Sequence, residues 1–94
     1  MRAKIPSTFQ LSSMTVSVII VPQAKWKAAD CVGYWDPLKA QIVLLKQNPD
    51  VMWHTFWHEA VHAALCMMSS PLNDDEVFVD QLGGHFAQII KSAK

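Results

Sequence analysis

The stretch NPDVMWHTFWHEAVHAALCMMSSP, residues 48–71, decides how this 94-residue chain is read. Asn48 can accept from free backbone amides, Pro49 suits a first helical position and Asp50 complements the positive end of a helix dipole. Ser69-Ser70-Pro71 provides the stop, so a helix is expected over about 49–68. Nearly every residue from Val51 to Met68 is apolar, which implies burial almost all round and makes the polar exceptions informative. At 100° per residue, His54, Thr55, His58, Glu59 and His62 share a stripe about 140° wide. A solvated helix face is usually rich in Lys, Gln and Glu. This stripe has three imidazoles and no Lys or Arg.

Inside the stripe, His58-Glu59-Ala60-Val61-His62 is an HExxH sequence. Side chains four apart on a helix have Cβ atoms about 5–6 Å apart, which lets two imidazoles converge on one zinc ion with bonds of about 2.0–2.1 Å. Glu59 projects about 100° from His58, away from a ligand position but within reach of a metal-bound water. That placement suits a general base for attack of water on a carbonyl. A catalytic zinc of this type needs a third protein ligand and an open fourth position.

Downstream, Asn73 followed three residues later by Glu76 resembles a capping box, and a second helix is expected over about 73–91. It offers Asp74, Asp75, Glu76 and Asp80 as carboxylates and His85 as an imidazole. Glu76, Asp80, Gly83 and Ala87 share one face, with small residues that permit close approach to the first helix. His85 falls opposite Glu76. Phe78, Val79, Leu82, Phe86, Ile89 and Ile90 form an apolar arc expected to pack into the core. Glu76 has a competing use as the N3 residue of the Asn73 cap.

Upstream, TVSVIIV (15–21) is β-branched and stops at Pro22, and reads as a strand. Gln23–Asp30 is a short helix or a loop. CVGYW (31–35) and QIVLL (41–45) flank a turn at Asp36-Pro37-Leu38-Lys39 and read as a hairpin. Strands over about 14–46 followed by two helices argue a single α+β domain, with a sheet of about three strands.

Composition narrows the function. The chain is 51% hydrophobic with zero formal net charge, which leaves no basic footprint for nucleic acid or an anionic membrane. The zero conceals a split: six basic residues against two acidic (+4) in 1–48, and two against six (−4) in 49–94, where all four histidines lie. Two widely separated cysteines suggest neither a disulfide framework nor a zinc knuckle. No apolar run has the length of a membrane span, no signal-peptide pattern is present, and a cytoplasmic location is expected.

HEAVH followed by EVFVD (Glu76 to Asp80) resembles the HExxH plus ExxxD pattern of the gluzincin metallopeptidases. The resemblance implies a minimal zincin-like fold, Zn2+ as cofactor, Glu76 as third ligand and Asp80 as the group that orients His58. The chain is also similar to small metallopeptidase-like proteins of phages and prophages, which would place it in a host cytoplasm. By the same resemblance a peptide substrate pairs as an extended strand along the edge of the sheet, for which QIVLL (41–45) is the candidate, while Glu59 moves the proton. The spacer from His62 to Glu76 is short, and no room is expected for the C-terminal domain that supplies transition-state donors in large gluzincins. Tyr34, His54 and His85 are the candidates for that role or for the rim. Against an enzyme stands a non-catalytic zinc-binding accessory module. A protease acting at protein–DNA crosslinks is disfavoured by the neutral charge, and a repressor-cleaving peptidase is not separable from a general one.

Overall fold

The structure, a computed structural model, describes residues 4–94. Arg2, one of the basic residues of the N-terminal half, lies outside them. The fold is α+β. In chain order the elements are β1 (Thr8–Leu11), β2 (Met14–Val21), β3 (Gly33–Asp36), β4 (Gln41–Leu45), α1 (Pro49–Met67) and α2 (Glu76–Ser92). Short 3-10 turns lie at Gln23–Lys25 and Pro71–Asp74. The sheet order is β1-β2-β4-β3, with β2 and β4 parallel and both outer pairs antiparallel.

The sheet has one strand more than expected. β1 joins β2 through Ser12 and Ser13, both at positive φ (50° and 65°), with Leu11 opposite Met14. That is the two-residue hairpin geometry normally signalled by Asn-Gly, here built from two serines. β2 faces the helices with Val16 and Val18, while Thr15 and Ile19 point outward.

QIVLL is not the edge of the sheet. β4 is hydrogen-bonded to β2 on one side and β3 on the other, so it cannot accept a substrate strand. Ile42, Val43 and Leu44 are all buried, which explains the unbroken apolar run: a strand covered on both faces has no solvent side to alternate toward. The free edge on this side belongs to β3.

Val16, Val18, Ile42 and Leu44 from the sheet and Phe56 from α1 form the main core, with Phe9, Trp35 and Trp57 packed against it. Each such aliphatic side chain contributes about 1.5–3 kcal/mol by leaving water. α1 starts as expected: Asn48 Oδ1 accepts from Asp50 N at 2.9 Å and Pro49 opens the helix. It ends in a Schellman motif, Ser70 N to Leu65 O and Ser69 N to Cys66 O, with Ser69 at φ 53° where glycine is usual.

The N-cap of α2 lies two residues later than the capping-box reading implied. Ser70 accepts from Leu72 N to open the 3-10 turn, and Asp75, not Asn73, accepts from Phe78 N to cap α2. Only part of the apolar arc of α2 is covered: Val79 is fully buried, whereas Phe86, Ile89 and Ile90 are more than a third exposed. α1 and α2 cross at Gly83, where an added Cβ would lie 2.9 Å from His58 Cα. Glycine is required there by proximity alone, and the crossing fixes the height of α2 against the histidine stripe. No helix among the described residues is long and apolar enough to cross a membrane.

Candidate metal centre

One turn of α1 separates His58 from His62, and their ring centroids are 5.0 Å apart. Both rings are largely covered, with side chains 19% and 16% exposed. Glu76, the first residue of α2, enters from the solvent side. Its Oε1 lies 3.3 Å from His58 Nε2 and its Oε2 lies 3.1 Å from His62 Nε2. Because Asp75 caps the helix, Glu76 is free of the capping duty that competed for it in the sequence.

Each imidazole is held from behind. His58 Nδ1 lies 3.1 Å from Asp80 Oδ1, one turn along α2 from Glu76, and His62 Nδ1 lies 2.7 Å from Asn73 Oδ1 in the 3-10 turn. A carboxylate and an amide oxygen only accept, so each Nδ1 carries the proton and donates it. In the neutral rings both Nε2 atoms are then bare acceptors, and both face the Glu76 carboxylate, itself an acceptor. Such a convergence of lone pairs is unfavourable unless a cation lies among them, either a proton on a ring or a metal ion.

Separations of 3.1 and 3.3 Å suit a protonated ring paired with the carboxylate and equally suit two ligands of one metal ion. Tetrahedral bonds of about 2.0–2.1 Å place neighbouring donor atoms about 3.3 Å apart. His58, His62 and Glu76 form a group that could hold a metal ion, one donor atom from each lying within 4.8 Å of the others. Two imidazoles and a carboxylate are a donor set that zinc accepts, and three protein ligands leave a position open.

Glu59 occupies the neighbouring position on α1 and is buried, 8% exposed. Burial holds its carboxyl above the ordinary value of 4.5; Glu76 pushes the same way, while His58 and His62 oppose. It lines both halves of a cleft that runs past the histidines beneath the start of β3. The narrow half, about 290 Å³, adds Thr55, His54 and Asp80; the wide half, about 570 Å³, adds Trp35, His62, Asn73 and Glu76.

The remaining candidates fall outside this cluster. His54 lies 3.7 Å from the far side of the Asp80 oxygen that holds His58, over Gly84, and is a rim residue. His85 lines a separate cavity with His54, Gln81 and Gln88. A Cβ at Gly33 would meet Thr55 of α1, so the next side chain, Tyr34, points away from α1; its ring packs on Trp26. Tyr34 still lines the wide half of the cleft together with Glu59, whereas His85 lines neither half.

Asn73 is the residue that sequence reasoning assigned elsewhere. The signal was present: Ser70-Pro71 is itself a helix-start pair, and Asp75 offers a second cap, which together release Asn73 from capping. No family model matches the chain, and neither the curated proteins nor the solved structures include a match to it.

Proposed function

We propose that the chain is a zinc-dependent metallopeptidase. The observation that carries this reading is the convergence of two Nδ1-anchored imidazoles and Glu76 on one point, with a buried carboxylate beside it. Zinc bound there would supply an activated water and polarise a peptide carbonyl. Glu59 is the group that takes the proton from the attacking water and delivers it to the leaving amine. Its pKa, raised by burial, suits a carboxylate that must both accept and return a proton.

The β3 edge is the substrate-binding edge in this reading. Leu45 N donates to Val32 O, and the register pairs Gly33 with Leu44 and Trp35 with Ile42. Antiparallel alternation then turns the N–H and C=O of Gly33 and Trp35 outward, along the cleft that His58 and Glu59 line. An extended peptide can add there as a fifth strand.

A non-catalytic zinc-binding module is the second reading. It is favoured by the packing of the Tyr34 ring on Trp26, although Tyr34 also lines the wide half of the cleft. Glu59→Gln separates the two. The peptidase reading expects zinc to be retained and turnover to fall by about 10²–10⁴-fold. Zinc binding with no peptide hydrolysis in either protein supports the module, and wild-type turnover in the variant removes Glu59 from the mechanism.

A further inference from the structure

We propose that the wide half of the cleft receives a lysine or arginine side chain of the peptide, selected by Asp74; this rests on the peptidase reading above. The two halves of the cleft share Cys31, Gly33, His58 and Glu59 but differ about twofold in volume. In the narrow half the walls nearly meet, since even a methyl group at Gly33 would come within 2.8 Å of Thr55 Cγ2. The wide half has room for a long side chain, with Trp35 and Pro37 as apolar wall.

The carboxylates nearby have other work. Glu76 belongs to the histidine cluster, Glu59 is buried beside it, Asp75 accepts from Phe78 N, and Asp80 holds His58. Asp74 lines the wide half and has no hydrogen-bond or ion-pair partner among the described residues. No Lys or Arg lines either half, whereas Lys4, Lys46 and Lys91 line a different cavity, beside the start of α1. An incoming cation therefore meets one unshared carboxylate with no Lys or Arg of the chain competing for it. The alkyl stem of Lys or Arg can lie along apolar surface while its head reaches that charge.

Peptides identical except for Lys, Gln or Glu at each position flanking the scissile bond test this. The Lys peptide should be cleaved with a kcat/KM about fivefold above the Gln peptide, the upper end for a solvent-exposed ion pair, at positions on one side of the bond only. The preference should shrink with added salt. Asp74→Asn should abolish the Lys-over-Gln preference, and Asp74→Lys should turn it toward Glu. The same order should appear without turnover, as tryptophan-fluorescence binding of the peptides to zinc-loaded Glu59→Gln protein. Equal handling of Lys, Gln and Glu peptides, or a Lys preference that survives Asp74→Asn, overturns the assignment and leaves the peptidase reading standing. Failure to bind or cleave any peptide overturns that reading and this inference with it.

Discussion

Helix α1 contributes to two very different regions, and the contrast between them explains much of the molecule. Phe56 reaches into a closed apolar core with Val16, Val18, Ile42 and Leu44. The very next turn carries His58, Glu59 and His62 into a cluster where acceptors face acceptors and a carboxylate is buried. The first region is held by the burial of apolar side chains. The second turns two ring nitrogens and a carboxylate toward one point, a group that could hold a metal ion, and in the metallopeptidase reading its stability is linked to metal. A helix with a strong cap and an apolar majority can carry such a cluster because the cost is met by packing elsewhere along its length.

The contrast breaks most severely at the core. Ile42→Ala should cost about 2–5 kcal/mol of stability, read by denaturant unfolding, equally with and without zinc. A loss that zinc restores would mean the two regions are not separable. Gly83→Ala lies on the boundary between them. Its Cβ would meet the backbone of His58, so about 1–3 kcal/mol of stability should be lost, and zinc affinity should fall as α2 is pushed away. An unchanged melting curve and affinity would show that the helix crossing does not set the site.

Smaller effects sharpen the second region alone. Asp80→Asn and Asn73→Ala should each weaken zinc binding by about 10–100-fold, with little change in the melting temperature of the metal-free protein. Zinc competition against a chelator dye measures this, and wild-type affinity in both variants would deny that the Nδ1 partners matter.

The smallest effect concerns pH. The raised pKa of Glu59 means that its contribution favours folding while the proton is bound, below about 4.5, and is lost as pH rises through the folded-state value. The metal-free wild type should therefore lose stability relative to Glu59→Gln between acid and neutral pH. Parallel stability profiles for the two proteins would show that the buried charge carries no such cost.

What was legible in the sequence follows the same division. Asn48-Pro49 and the apolar run around HEAVH placed α1 almost to the residue, because capping and periodicity act locally. The face shared by Glu76, Asp80 and Gly83 packs on the first helix as its small residues implied, and the contacts of Glu76 and Asp80 with the histidines are those the family resemblance implied. The misreadings involve choices that only tertiary context makes. QIVLL looked like an edge because the strand was read without β2 and β3, which pair with both its edges. β1 escaped because two serines hold a turn that usually needs Asn-Gly. Asn73 had two plausible jobs, and the competition among Ser70, Asn73 and Asp75 for helix starts is settled only when the 3-10 turn is in place.

The most direct test of the central claim is calorimetric titration of the metal-free protein with zinc at neutral pH, followed by structure determination of the product. One ion per chain is expected, bound through His58 Nε2, His62 Nε2 and the Glu76 carboxylate at about 2.0–2.2 Å, with binding abolished in His58→Ala. Absence of saturable zinc binding, or binding that persists unchanged in His58→Ala, would contradict the account.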